Sequence, residues 1–327
     1  MEEAELCFPQ LLNTSCRRPQ PPHSEALFVY ILLFFISLLT ATLNLLLIIS
    51  ISHFRQLHTP TNLLLLSLAG SDFFVGLLVI PVEILMMGTC WVLGDVMCAL
   101  YFLLPCTLIS ASVGSMVLIS VDRYVAICDP LRYPTRVTVR VVTAAVCLCW
   151  LCSVFYSVFI MYDHLNRPGR YNPCHGECVV NMAGDVDLAV AFVIPIAVIT
   201  GLYIRVFVVA VTQARAVRAH AAAVTAGYSV TLTVRRSELK AARTLGVLVA
   251  VFLICYSPYY CLSMSGSSIL IGSSTEAFMS FLMYFNSCLN PLLYALFYPW
   301  FRKAVRLIVS LRILQPGSCE ANILSRH

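Results

Sequence analysis

The chain has 327 residues, of which 60% are apolar and only 11% charged, and carries a formal net charge of +5. A soluble globule carries about a quarter charged residues, so this composition excludes one and leaves a single membrane domain. The positive balance is no nucleic-acid signature, because the basic residues are sorted by side of the membrane.

Residues 1–25 are polar, contain Pro19, Pro21 and Pro22, and lack the apolar core of a secretory signal peptide. They are assigned to an extracellular N-terminus, in which Asn13-Thr14-Ser15 reads as a glycosylation sequon on Asn13. The first apolar run is expected to be the insertion signal itself and to remain in the protein. Seven spans are predicted, at 26–52, 62–86, 95–127, 141–162, 185–213, 238–265 and 275–298. Each reaches the ~20 residues needed to cross ~30 Å of hydrocarbon. The fold class is therefore an all-α membrane protein, a seven-transmembrane-helix bundle over residues 26–298. Residues 299–327 supply a short amphipathic interfacial helix and a cytoplasmic tail, with Trp300, Phe301, Leu307 and Ile308 alternating with Arg302, Lys303 and Arg306. That pattern suits a helix lying in the interface with its basic edge towards lipid headgroups.

Ionisable groups are costly inside a bilayer, so each one within a span is a functional candidate. In chain order these are Asp72 and Glu83 in span two, then Asp122-Arg123-Tyr124 at the end of span three. Span five contributes Asp187, and span six opens at Glu238. Pro105 removes a backbone donor from span three and is expected to kink its upper half. Asp129-Pro130-Leu131-Arg132-Tyr133-Pro134 forms a turn-rich hinge after that span. Span seven carries Asn290-Pro291 with Tyr294, which breaks a membrane helix and is tolerated only where protein or internal water satisfies the freed groups.

Basic residues such as Arg55, Arg132, Arg136, Arg215, Arg235, Lys240 and Arg302 fall in alternate loops or the tail. The positive-inside rule makes those cytoplasmic and the N-terminus external. The outer face carries an excess of acids, including Asp95, Asp163, Glu177 and Asp185, and such a mouth concentrates cations. Of the fifteen cysteines, Cys106, Cys147, Cys149, Cys152, Cys255, Cys261 and Cys288 lie in apolar runs and are expected to pack as small apolar residues. Cys7, Cys16, Cys90, Cys98, Cys174 and Cys178 face the oxidising side, where disulfides persist. No inverted repeat, catalytic constellation or ring of like charge marks a transporter, membrane enzyme or channel.

The string Asn286, Ser287, Asn290, Pro291, Tyr294, Tyr298, Trp300 and Phe301, with Asp122-Arg123-Tyr124 and Pro258, resembles the rhodopsin-like G-protein-coupled receptors. Within them it is similar to the trace amine-associated receptors, over roughly Cys7 to Arg306. The resemblance implies that Asp72 meets Asn44, Ser112, Asn286 and Asn290 in a polar cluster that holds an allosteric sodium ion. No other cofactor is called for. It also implies that Arg123 pairs with Asp122 and reaches Glu238, twenty residues before Pro258. Tyr203 and Tyr294 are then the two tyrosines that turn inward when this lock opens. One cysteine pair, Cys98 with Cys178, matches the family's bridge, and Cys16 with Cys174 matches the subfamily's second. Cys7 and Cys90 stay unassigned.

Two departures bear on the ligand. The span-six motif reads Phe252-Leu253-Ile254-Cys255-Tyr256-Ser257-Pro258, with tyrosine where the family carries tryptophan. The aspartate that clamps the ligand ammonium in most such receptors falls on Pro105, eighteen residues before Arg123. In this the chain resembles the fish olfactory group that lacks the span-three aspartate and carries one high in span five. Asp187, two turns before Pro195, stands at that place. The expected ligand pocket is Asp187 with Cys106, Tyr256, Tyr259, Tyr260 and Tyr284, and with Glu83 as a second acid that serves a diamine or faces the vestibule. The implied protein is an amine-sensing, olfactory receptor in the plasma membrane, raising cyclic AMP through a stimulatory or olfactory G protein. A receptor retuned to a non-amine ligand is the alternative.

Overall fold

The structure is a computed structural model that describes residues 6–11, 13–17, 23–87, 89–167, 169, 172, 174–180, 184–221, 246–261 and 274–324. Among the described residues, five helices are long and apolar enough to cross a membrane: Leu27–His53, Pro60–Met86, Gly94–Cys128, Val139–Ile160 and Gly184–Val209. Two further apolar helices, Gly246–Cys261 and Phe281–Phe297, are the described parts of spans six and seven.

The bundle is apolar on its outside and holds a polar cluster within an apolar core. Phe28, Phe34, Phe35, Phe155, Phe159, Phe207 and Leu296 are exposed on the outer faces. Leu47, Ile51, Leu64, Leu68 and Phe252 pack inside, and Thr40, Asn44, Ser71, Asp72, Ser112, Asn286 and Asn290 are fully or almost fully buried among them. Lipid offers no hydrophobic gain for burying leucine, so close packing and polar contacts add to what holds the helices together. Gly76 shows how close those contacts are. A Cβ there would meet the backbone of Ala41 at 2.7 Å, and the Gly76 carbonyl accepts a bond from Ser37 Oγ at 2.7 Å.

Local sequence sets the helix ends. Thr59 caps span two, accepting from the Asn62 backbone N–H at 3.3 Å, and Pro60 follows it where a missing N–H does no harm. Thr138 caps span four in the same way, accepting from Val141. Two prolines inside the spans have the opposite effect. Each denies a partner to the carbonyl one turn back, and a widened π-helical turn precedes each of them. Val75–Val79 precedes Pro81, and Leu188–Val193 precedes Pro195. Span three, by contrast, stays helical through Pro105, so the expected interruption there is not a break.

Span seven ends at Phe297, and the interfacial helix Pro299–Val309 follows. Its inner face buries Trp300, Phe301 and Ala304. Arg302 donates to the carbonyls of Ala295 and Leu296 at 2.7 and 2.9 Å, capping the unpaired end of span seven. Lys303 donates to the Asn322 carbonyl at 2.7 Å. These two cations thus also bond to backbone carbonyls. The tail folds back beneath span one, with Ser318 Oγ 3.0 Å from His53 Nε2 and Ile323 buried.

Three disulfides build the outer cap: Cys98–Cys178, Cys16–Cys174 and Cys7–Cys90. The first two are the pairs implied by resemblance, and the third joins the two cysteines left unassigned. Connectivity cannot be deduced from spacing. Here backbone bonds bring the ends together. Cys16 N–H donates to His175 and Trp91 N–H to Gly176, at 2.9 and 2.7 Å. Gly176 has φ +109°, and a Cβ on it would meet that of Cys7 at 2.7 Å, so only glycine fits. Asn13 is exposed in a turn of this cap.

Candidate functional site

Asp187 sits on the last turn before the π-helical stretch of span five, half-buried and turned inward. Its Oδ1 accepts the Tyr156 hydroxyl of span four at 2.5 Å. The Tyr260 phenol of span six lies on the same side, within electrostatic reach of the carboxyl group. Cys106 of span three lies beside this cluster, against Ser157 and Ser110 and within electrostatic reach of Asp187. Asp185, two residues earlier, is exposed. Span five therefore carries two aspartates with opposite fates, and only Asp187 faces the bundle.

Aromatic rings continue from Asp187 across the upper bundle. Tyr260 stacks on Phe192 with ring centroids 4.5 Å apart and meets Tyr259 edge-on at 5.3 Å. Tyr256 is fully buried one turn below, tilted against Phe252 at 4.3 Å. Tyr259 lies within electrostatic range of Tyr284 on span seven. Tyr284 donates to Glu83 Oε1 at 3.3 Å, and Tyr101 of span three donates to Glu83 Oε2 at 2.6 Å. Glu83 is thus held from spans three and seven.

Deeper in the bundle Asp72 is completely buried. It accepts from Asn290 Nδ2 and Ser287 Oγ, each at 2.8 Å, and from Ser112 Oγ at 3.3 Å. Two expected members stand one step away. Asn44 donates to the Thr40 and Ser287 carbonyls, and Asn286 accepts from Asn290 at 3.5 Å. Ser287, which the sequence reading left out of this cluster, is a direct partner. The carbonyl oxygens Asn44 Oδ1 and Asn290 Oδ1 are buried without a hydrogen-bond donor among the described residues.

At the cytoplasmic end Arg123 is closed onto Asp122. Its Nε and Nη2 reach Oδ2 at 2.9 and 2.5 Å, and Nη2 also donates to Thr61 Oγ1. Asp122 further accepts from Tyr133 at 2.8 Å and from Thr61 at 3.0 Å. Tyr133 lies in the loop outside the span, where burial, with Asp122 alongside, pushes its phenol above the ordinary range and keeps it a donor. Tyr124 is half-buried beside this network. Glu238, the expected span-six partner of Arg123, lies outside the described residues. The hydroxyls of Tyr203 and Tyr294 are both buried and lack a partner among the described residues. Pro291 is accommodated inside the helix of span seven, one residue past Asn290.

Tyr156, Tyr101, Ser287 and Thr61 are the residues that sequence reasoning missed. The first three are hydroxyls inside apolar runs and Thr61 stands just ahead of one, but a lone hydroxyl does not name its partner. Cys16, Cys174 and Glu177 also converge, yet the two sulfurs are bonded to each other and offer no thiolate to a metal.

The comparisons agree with this architecture. A family model described as 7 transmembrane receptor (rhodopsin family) matches residues 43–294. Trace amine-associated receptor 13c of Danio rerio is 37% identical over 99% of this chain and 97% of its own length. Trace amine-associated receptor 9 of Homo sapiens is 36% identical over 100% and 97%. Trace amine-associated receptor 4 of Mus musculus is 33% identical over 99% and 97%. The protein is accordingly a multi-pass plasma-membrane receptor and not an enzyme. With seven apolar helices, a buried Asp72–Asn290 contact and an Asp122–Arg123 pair, the chain belongs to the rhodopsin family of seven-transmembrane receptors, and within it to the trace amine-associated receptors.

Proposed function

We propose that this receptor senses organic amines, holding the ligand ammonium at Asp187, and signals through a stimulatory or olfactory G protein that raises cyclic AMP. The observation that carries this reading is the state of Asp187. It is an inward-facing carboxylate in a span, fixed by the Tyr156 hydroxyl, with no cationic side chain paired to it among the described residues. A carboxylate has about four lone-pair sites, so this phenol donor leaves room for an ammonium. A charge pair formed away from bulk water is far stronger than one at a surface. The position that holds the clamp in most relatives of this type is Pro105, which offers neither charge nor donor.

Tyr260 connects that event to span six. An ammonium arriving at Asp187 meets the Tyr260 phenol and acts on its stack with Phe192. A ligand shifts a conformational equilibrium only through different affinities for its two states, and this contact is where the difference is proposed to arise. At the other end, Arg123 leaves Asp122 and Thr61 to meet the G protein, and the unpaired hydroxyls of Tyr203 and Tyr294 gain partners. An olfactory role rests on resemblance to the fish group with the same Pro105–Asp187 pattern.

A cyclic-AMP screen of cells expressing the chain tests the reading. Primary amines are expected to raise cyclic AMP, and potency should fall as pH passes the ligand's own pKa. Responses confined to neutral ligands, with no such fall, would establish the non-amine alternative.

The Asp72 cluster is proposed to hold an allosteric sodium ion. One carboxylate, the Ser112 and Ser287 hydroxyls and the two unpartnered amide oxygens of Asn44 and Asn290 make an all-oxygen donor set suited to a hard cation. The ion would neutralise Asp72. Sodium should then weaken agonist binding in the wild type relative to an equal concentration of choline. Asp72→Asn should abolish that difference, and a variant that keeps it would place sodium elsewhere.

A further inference from the structure

Glu83 is the second acid in the upper bundle, and like Asp187 it is met by phenols from two other spans. Glu83 accepts the hydroxyls of Tyr101 and Tyr284, while Asp187 accepts that of Tyr156 with the Tyr260 phenol in electrostatic reach. Neither is paired with a basic side chain among the described residues. The two donors on Glu83 leave lone-pair sites unused. Tyr260, Tyr259 and Tyr284 run from one acid to the other along spans six and seven. Their rings offer π faces to a chain passing between the two sites.

Burying an acid in a span is costly, and a merely structural contact between spans two, three and seven needs no charge. Asparagine or serine would serve it, as they do around Asp72. A carboxylate held open by neutral donors is suited to a cation that arrives from outside. We propose that Glu83, clamped by Tyr101 and Tyr284, is a second ammonium subsite, so that the receptor takes an organic dication whose two ammonium groups engage Asp187 and Glu83. This rests on Asp187 as the first ammonium site.

The test compares alkane-α,ω-diamines with alkylamines of matched length, by ligand-induced thermal stabilisation of the detergent-solubilised receptor. That readout does not depend on G-protein coupling. In the wild type one diamine length should bind best and exceed its matched monoamine. Glu83→Gln keeps the shape and still accepts a tyrosine hydroxyl, so the fold is retained. It should weaken the diamine by about ten- to a hundredfold while leaving the monoamine unchanged. Tyr101→Phe should give a smaller loss, again for the diamine alone. Equal losses for diamine and monoamine in Glu83→Gln would make Glu83 structural and overturn the proposal, as would a wild type indifferent to the second amine. Failure of the Asp187 reading is separately visible, because Asp187→Asn would then spare monoamine and diamine alike.

Discussion

Asp187→Ala is expected to reduce potency for an amine agonist more than any other pocket substitution. Removing one member of a buried charge pair leaves the other unpaired, at a cost of about 3–5 kcal/mol. At about 1.4 kcal/mol per decade, that is a loss of roughly two to three and a half powers of ten. Asp187→Glu should be milder, because the charge is kept. Asp185→Ala should be milder still, since Asp185 is exposed. Dose–response curves for the three variants at matched surface expression give the ranking. Wild-type potency in Asp187→Ala would place the ammonium elsewhere, and Glu83 would be the next residue to test.

Arg123→Ala is expected to reduce agonist-evoked cyclic AMP to the level of untransfected cells while leaving agonist binding largely intact. The guanidinium makes three hydrogen bonds to Asp122 and Thr61, and it is the group proposed to leave them for the G protein. The site lies at the opposite end of the bundle from Asp187. Mutations far apart with no shared partner act nearly independently, so the ligand pocket should survive. Loss of the partner leaves Asp122 with Tyr133 and Thr61, which still satisfy it by hydrogen bonds. Paired radioligand and cyclic-AMP measurements on surface-expressed receptor check this, and a normal cyclic-AMP response would remove Arg123 from the coupling machinery.

The spans were legible because hydrocarbon leaves so few solutions. The predicted 95–127 and 141–162 became Gly94–Cys128 and Val139–Ile160. The polar residues of Asp72, Asp122-Arg123-Tyr124 and Asn290-Pro291 stood out for the same reason, since each is expensive where it lies. What periodicity could not carry was facing. The π-helical turn at Leu188–Val193 shifts the register between Asp187 and Pro195, and the one at Val75–Val79 shifts it between Asp72 and Glu83. Counting helical turns from Pro195 or from Asp72 therefore could not name the partners of Asp187 or Glu83. Tyr156 and Tyr101 were hidden for this reason. Ser287 was hidden by its neighbour, because Asn286 looked the better ligand while Ser287 points at Asp72. The Cys7–Cys90 bridge depended on a loop path through Gly176 that spacing does not encode.

The central claim is that Asp187 reads the charge of the ligand. Its most direct test is the ratio of affinities for a primary amine and its isosteric alcohol, measured in the wild type and in Asp187→Asn. Asparagine keeps the size of the side chain and an oxygen for Tyr156, and removes only the charge. The wild type should prefer the amine strongly, and Asp187→Asn should bind the two ligands nearly alike. An undiminished preference for the amine in Asp187→Asn would contradict the account.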